Sequence, residues 1–260
     1  MKQYQPEAIL NESFIQHVEY HPTLESTNLL AVELRDELSA RSPAVVLTDE
    51  QTAGRGRGAN AWWSAAGAMT FSVVLNADQH GPPPECRPLV ALATGLAVRS
   101  LIQELLPDHQ VQTKWPNDVL VADRKICGIL TEQHATPTGN TLIIGIGVNV
   151  NNSMAAAPVE VQQRATSAYD LSGSSYDLTN TLNRLLHQLE RSLINLQQDQ
   201  TSVVAEFGRH HRLTGQLVTI ETPTGPLTGR CTGMANDGAL QLKVGDRKHE
   251  VRAGTVVEFT

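Results

Sequence analysis

Residues 52–64 read TAGRGRGANAWWS, where Arg55 and Arg57 alternate with Gly54, Gly56 and Gly58 ahead of two of the chain's three tryptophans. Glycine permits positive φ and close backbone approach. Successive amides of such a run can form a nest for an anion. Arginine adds a planar fork that pairs bidentately with carboxylate or phosphate, and Trp62 or Trp63 could cover a flat ligand. The segment is compatible with gripping nucleic acid, cradling phosphates, folding over a small anionic ligand, or forming a solvated turn. It is not a Walker loop, because no Gly-Lys-Ser/Thr follows, nor a dinucleotide turn, because no GxGxxG opens a helix.

Three further stretches carry reactive residue types. In KWPNDVL, Pro116 breaks the strand after Trp115 and leaves Asn117 and Asp118 at a turn. Lys114 and Asp118 could serve phosphate and magnesium there; a plain turn with Trp115 in the core is the alternative. In RKICGIL, Lys125 enters an apolar strand that Gly128 interrupts, and a glycine inside a strand often marks the close approach of a ligand. A lysine on an exposed edge would look the same. In GIGVNVNN, Gly145 and Gly147 leave one strand face bare, and Asn149 could read an adenine edge through an amide that both donates and accepts. Tight sheet packing is the alternative.

These residues sit in a chain of 260 with formal charge −7. The length allows one medium domain, or a large one with a small companion. The acidic balance opposes general nucleic-acid affinity, so a local basic loop on an acidic body points to a small anion. The start has no apolar run of the signal-peptide kind, and no stretch approaches the roughly 20 apolar residues of a membrane helix; a cytoplasmic protein away from the membrane is expected. Cys86, Cys127 and Cys231 are odd in number and far apart, which suits reduced thiols used as small apolar residues. None of the nine histidines forms an HExxH pattern, and His210 and His211 read as helix-end or surface residues.

The elements that must position this chemistry follow from periodicity. Residues 24–40 predict a helix capped by Ser26 or Thr27, with leucines at helical spacing. AVVLTDEQT and MTFSVVLN predict strands on either side of the Gly-Arg loop. PLVALATGLAVRSLIQELLP predicts a long apolar helix closed by Pro107. VQTKWPNDVLV, KICGILTEQ and TLIIGIGVNVN predict three strands, the first two joined by a hairpin at ADRK. Leu178, Leu182, Leu185, Leu189, Leu193 and Leu196 form a core-facing stripe on one helix, and residues 153–176 before it read as partly irregular. From residue 213 short β-type runs separated by glycine turns predict a small antiparallel barrel. At that size it should lean on the larger domain.

The motifs occur together in one order. STN at 26–28, EQTAGRGRGANAW at 50–62, KWPND at 114–118, RKICGIL at 124–130 and GIGVNVN at 145–151 make the chain resemble the biotin protein ligase family. It departs in having Ala59 where a further glycine is usual. The resemblance implies an α+β fold: a mixed central β-sheet with helices on one face, similar to class II aminoacyl-tRNA synthetases, over residues 1–212, then an SH3-like β-barrel over 213–260. It implies adenylation of biotin by ATP with Mg²⁺, then transfer of biotin to a lysine of the biotin carboxyl carrier domain of a carboxylase. Lys125 and Arg57 would be catalytic. Ser26, Thr27, Asn28, Gln51, Gly54, Arg55, Arg57, Gly58, Lys125 and Gly128 would bind biotin. Arg55, Arg57, Trp62, Lys114, Asn117, Asp118, Lys125 and Asn149 would face ATP or the adenylate. No metal ligand is assigned, Asp118 being the one side chain that could reach magnesium. Only 25 residues precede Ser26, too few for the DNA-binding module of some members, so no DNA role is expected; a homodimer is left open. The alternatives are a lipoate or octanoate ligase, which shares the adenylate logic, and an RNA-binding module that stacks bases on Trp62.

Overall fold

The computed structural model describes residues 3–136 and 139–260. The chain opens with α1 (Pro6–Glu12) and β1 (His17–Leu24). Sequence reasoning had found neither. β1 reads HVEYHPTL, polar and proline-bearing, which suits the sheet edge it occupies because an edge residue need not donate to a second neighbour. Then come α2 (Thr27–Glu33), α3 (Arg35–Ala40) and β2 (Ala44–Gln51). The single helix expected over 24–40 is therefore two. Leu24 still belongs to β1, Ser26 caps α2 by accepting from Leu29 N, and Leu34 at φ −94° and ψ 14° breaks the run. The break allows Ala31 and Leu38 to share one apolar cluster with Val46, Val74 and Ile143 of the sheet.

β3 (Ala68–Asn76) is followed by a 3₁₀ turn at Pro84–Leu89 and by α4 (Val90–Leu105). The run expected over VQTKWPNDVLV divides into β4 (Val111–Lys114) and β5 (Asp118–Val121), with Trp115, cis-Pro116 and Asn117 between them. Ala122 and Asp123 then adopt φ of 50° and 59°. That is the geometry of a two-residue hairpin whose twist matches its strands, as ADRK predicted. It leads into β6 (Arg124–Thr136), and β7 (Gly139–Asn149) returns antiparallel. Among the described residues seven strands are ordered β1-β2-β3-β7-β6-β5-β4, with only the β1–β2 pair parallel.

Short helices α5 (Val159–Gln162) and α6 (Ala168–Ser172) occupy the stretch expected to be partly irregular. α7 (Leu178–Gln198) and α8 (Gln200–Arg209) complete the helical layer. All six leucines of the predicted α7 stripe are buried. Along β2 the side chains alternate as a strand requires: Val45 and Leu47 enter the core with α4, α7 and α8, while Ala44 and Val46 face α2 and α3. The long helices thus cover one face, and the two short ones close part of the other. The stretch Pro84–Leu105 is long and apolar enough by composition to span a membrane, but α4 is packed into this core against α7 and α8.

The second sheet contains β8 (Leu217–Thr222), β9 (Gly225–Met234), β10 (Leu240–Val244), β11 (Arg247–Val251) and β12 (Thr255–Phe259), all antiparallel in the order β11-β10-β9-β8-β12. It leans on the larger body as its size required: Val218, Ile220, Cys231, Leu240 and Leu242 belong to the same buried cluster as α4 and α8. Trp115 Nε1 donates to Gly238 O at 3.1 Å across the junction. His211 lies at this junction too and is buried, a correction to the surface position considered for it.

Leu189 has no exposed surface. Truncating such a leucine removes transfer free energy and leaves a cavity. Leu189→Ala is expected to lower the unfolding free energy by about 2–5 kcal/mol, read from the urea midpoint at unchanged slope.

Candidate active site

One pocket gathers most of the residues that the sequence had singled out. Its walls include Ser26, Thr27, Asn28, Gln51, Arg55, Arg57, Trp62, Lys114, Asn117, Asp118, Lys125 and Gly128, drawn from four separate stretches. Its floor is the bare part of β6 and β7. Gly128 and Gly147 are register partners, so their missing side chains open one continuous patch. The Trp62 indole lies on that patch: a Cβ on Gly147 would stand 2.4 Å from Trp62 Cε2, and one on Gly128 3.4 Å from Trp62 Cζ3. Trp62 Nε1 is buried there without a hydrogen-bond partner. An unpaired buried donor costs about 1–3 kcal/mol, so the floor offers an unmet need for an acceptor.

The Gly-Arg segment is an ordered hairpin flap. Arg55 bridges Ala61, Trp62 N donates to Gly54 O at 2.8 Å, and Gly56 N donates to Asn60 O at 2.7 Å. Gly54 and Gly58 are not walls of the pocket; they shape the flap. A Cβ on Gly54 would lie 2.4 Å from Trp62 O, and Gly58 turns the tip at φ +63°. Arg57 donates to Gly254 O in the turn before β12, and Thr255 and Val256 join the pocket walls. Burial lowers the Arg57 pKa, while Asp118 acts to raise it.

One end of the pocket is uncharged and polar. Gln51 Oε1 accepts from Thr27 N at 2.7 Å and from Thr27 Oγ1 at 3.2 Å. Ser72 Oγ lies 2.8 Å from Thr27 Oγ1 and 2.7 Å from Asn28 Oδ1, and Asn28 Nδ2 donates to Glu132 at 2.8 Å and to Leu130 O at 3.3 Å. Such a buried network fixes amide and hydroxyl orientation. Gly145 makes room for it, since a Cβ there would stand 1.9 Å from Asn28 Oδ1. Sequence reasoning missed Ser72 and Glu132. A serine inside the apolar run MTFSVVLN was the available signal for the first; Glu132 gave none, being one polar residue on a strand that ends polar.

The other end is cationic. Lys125 Nζ pairs with Asp118 Oδ1 at 2.5 Å and stands 5.8 Å from the centre of the Trp62 ring. The main chain of Lys125 is clamped on its far side, its N–H donating to Arg164 O at 2.7 Å and its carbonyl accepting from Thr166 N at 2.9 Å. Opposite it the β5–β6 register shifts between Val119 and Leu120, a bulge of the kind that re-aims side chains at sites. Lys114 Nζ lies 5.1 Å from the Phe259 ring centre. Burial lowers the Lys114 pKa, Asp118 opposes that, and Lys125 adds to it. Asn117 is a wall, yet its Nδ2 donates to Ile129 O at 2.6 Å and braces the turn. Asn149, expected to contact adenine, has its amide engaged within the protein. It is not a pocket wall; its Nδ2 donates to Thr166 O at 3.0 Å and its Oδ1 accepts from Asn152 at 3.0 Å, so its amide holds the segment that clamps Lys125.

Four cations, Arg55, Arg57, Lys114 and Lys125, thus line a pocket with one carboxylate, Asp118. Among the described residues no three His, Cys, Asp or Glu side chains gather as a metal site. Asp118 is already engaged by Lys125, so this donor set suits a divalent ion that arrives on a phosphate ligand. Cys127 is buried and burial pushes its thiol pKa up; Cys86, Cys127 and Cys231 are all unpaired and buried. The pocket can therefore orient and neutralise anions, but none of its wall residues is a cysteine nucleophile.

Comparison with known proteins identifies the family of the chain. The Biotin/lipoate A/B protein ligase family model matches residues 20–149, and the biotin protein ligase C terminal domain matches 214–257. The chain is 31% identical to the bifunctional ligase/repressor BirA of Bacillus subtilis over 234 residues, covering 89% of this chain and 70% of that protein. It is 34% identical to the biotin--[acetyl-CoA-carboxylase] ligase of Mycobacterium tuberculosis over 220 residues, covering 83% and 79%. Among solved structures, the biotin protein ligase of Aquifex aeolicus in complex with biotin and ATP superposes with a TM-score of 0.78 at 25% identity, covering 95% of this chain and 98% of that one.

Gly145→Ala is expected to drive its methyl into Asn28 and break the Ser72–Asn28–Glu132 network. A loss of about 1–3 kcal/mol of stability should follow, visible as a lower thermal midpoint; an unchanged midpoint would show that the network tolerates the methyl.

Proposed function

The chain belongs to the biotin/lipoate A/B protein ligase family, and on that premise we propose how its pocket divides the work between biotin and ATP. The protein is a biotin protein ligase. It activates biotin with ATP to biotinyl-5′-AMP and transfers the biotinyl group to a lysine of a biotin carrier domain of the acetyl-CoA carboxylase type. A carboxylate is a poor acyl donor because its leaving group would be oxide; adenylation replaces that group with AMP.

The observation that supports the residue roles best is the polarity of the pocket from end to end. Thr27, Asn28 and Gln51, with Ser26 beside them, offer fixed donors and acceptors suited to the ureido head of biotin. The glycine floor at Gly128 and Gly147 takes its ring and chain. Lys125 then stands where the carboxylate meets the α-phosphate. A carboxylate oxygen attacks the α-phosphorus, the bond to the β-phosphate oxygen breaks, and pyrophosphate leaves with the electron pair. Two anions must approach for this, so cations between them lower the barrier. Lys125 and Arg57 supply that charge, Arg55 holds the same groups from the flap, and Lys114 faces the phosphates. Mg²⁺ bound with the triphosphate would neutralise the departing pyrophosphate, with Asp118 as the one wall carboxylate able to reach it. Trp62 covers the adenylate and keeps water from the mixed anhydride. In the second step the carrier amine attacks the acyl carbon, loses a proton and releases AMP. Proximity suffices there.

The same reading places the catalytic domain in residues 1–212 and the barrel in 213–260, supported by the separate family matches. It places the enzyme in the cytoplasm, where ATP is supplied. No nucleic-acid partner is assigned, because the basic residues of the Gly-Arg loop converge inside the cleft. β1, an edge of the large sheet, is the element through which a second copy would extend it in a homodimer. A lipoate ligase would need an apolar end for the dithiolane, where this pocket has the Thr27–Asn28–Gln51 cluster.

The decisive experiment is mass spectrometry of a biotin carrier domain after incubation with enzyme, ATP, magnesium and either biotin or lipoate. Modification of one lysine by biotin alone is expected; modification by lipoate alone would overturn the assignment of the polar end. Lys125→Ala is expected to lower biotin-dependent pyrophosphate exchange by on the order of 10²–10³-fold, the scale of losing one preorganised charge stabiliser. Wild-type exchange in that variant would remove Lys125 from the first step.

A further inference from the structure

The linker between α8 and β8 is bonded to the free edge of the large sheet. Thr113 N donates to His210 O at 2.9 Å, Arg212 N donates to Thr113 O at 2.8 Å, and Thr113 Oγ1 donates to Phe207 O at 3.1 Å. Residues 210–212 therefore cover β4 and bring His211 against the turn that carries Lys114, Asn117 and Asp118. His211 Nε2 lies 3.2 Å from Trp115 N. A main-chain N–H can only donate, so Nε2 must accept and carries no proton. The ring proton then sits on Nδ1, which faces Thr214 Oγ1 at 3.3 Å. Phe207 of α8 packs against the ring at 5.7 Å between centroids, and the charge facing it from β4 is Lys114. Burial, with the Lys114 charge added, holds the His211 pKa down to about 3. Pro116 has no N–H, so Trp115, itself a pocket wall, supplies the main-chain donor of the turn ahead of Asn117. Its only fixed acceptor among the bonds of the described residues is this imidazole.

We infer that His211 is a positioning residue for the nucleotide half of the reaction: by accepting the Trp115 amide it holds the turn that presents Lys114 and Asp118 to the phosphates. The inference rests on the ligase reading above. His211 is not a pocket wall; it acts through Trp115. A charged imidazole could not serve, because it would set two N–H groups face to face and add a positive charge beside Lys114.

The test compares wild type, His211→Phe and His211→Gln by biotin-dependent pyrophosphate exchange. Phenylalanine keeps the ring and loses the acceptor, while the glutamine carbonyl can reach the place of Nε2. His211→Phe is expected to raise KM for ATP on the order of tenfold, the scale of one unpaired buried donor, with KM for biotin within about twofold. His211→Gln should recover most of that loss. A lower thermal midpoint with wild-type KM for ATP, or a glutamine variant no better than phenylalanine, would overturn the inference. Should the variants fail to fold, ¹⁵N NMR of the wild-type histidines decides: the neutral Nδ1–H tautomer from about pH 5 to pH 8 is expected, and an Nε2–H or charged His211 would overturn it. A wild-type protein without biotin-dependent exchange would instead sink the ligase reading, and the tautomer would still report on the bond.

Discussion

Four cationic side chains are held around a single carboxylate in a half-enclosed pocket, and their mutual repulsion is the constraint to which the surrounding structure answers. Two unit charges 4 Å apart at an effective dielectric near 20 interact by about 4 kcal/mol, so loosely tethered lysines and arginines would swing away. Three of the four are tied instead. Hydrogen bonds from residues 164 and 166 clamp the Lys125 main chain, Phe259 lies beneath Lys114, and the Gly254 carbonyl takes Arg57. With one carboxylate among the walls to balance them, the group is left with excess positive charge, which an anionic ligand would neutralise.

The glycines answer a second demand, that of bringing a ligand against main chain in the middle of a sheet. A glycine inside a strand sacrifices packing and order. β6 and β7 accept that loss at Gly128, Gly145 and Gly147 because each bared position has a definite occupant. Asn28 fills the space over Gly145, Trp62 fills that over Gly147, and the Lys125 side chain, with the edge of Trp62 beside it, fills that over Gly128. The flap tryptophan thus occupies apolar floor that would otherwise meet water. Its unpartnered Nε1 keeps that arrangement from being fully satisfied, so opening the floor to a ligand costs less than displacing a well-bonded side chain.

Much of this was legible in the sequence because glycine, arginine, proline and tryptophan have narrow uses. The Gly-Arg run, KWPND, the lysine in RKICGIL and the glycine pair of β7 each pointed at an element that does meet the pocket. The leucine stripe of α7 followed from helical spacing alone. What stayed hidden depended on tertiary neighbours. β1 does alternate Val18, Tyr20 and Leu24 with polar residues, but Pro22 and two histidines interrupt the β-type composition, which an edge strand tolerates. Asn149 stood next to a functional glycine pair, yet the chain leaves β7 there and turns its amide toward Thr166. His211 looked like the end of a helix. Its burial arises from the pairing of the linker along β4 and from Trp115 and Phe207 against its ring, and no local pattern records those contacts.

The barrel is where the division of the chain into parts meets its limit. The large sheet carries the glycine floor and Lys125, with the uncharged polar end beside them. Yet Thr255 and Val256 form part of the wall, Gly254 receives the flap arginine, and Phe259 supports both Lys114 and Arg212. All of these contacts fall on β12 or the turn just before it. β12 pairs only with β8, at the end of its sheet, and β8 follows directly on the linker that runs along β4. A shift of the linker would therefore move the Trp115 turn and the β12 wall together. Flap, turn and barrel edge meet at the cationic end of the pocket, so the geometry of that end depends on how firmly residues 210–212 are held to the sheet.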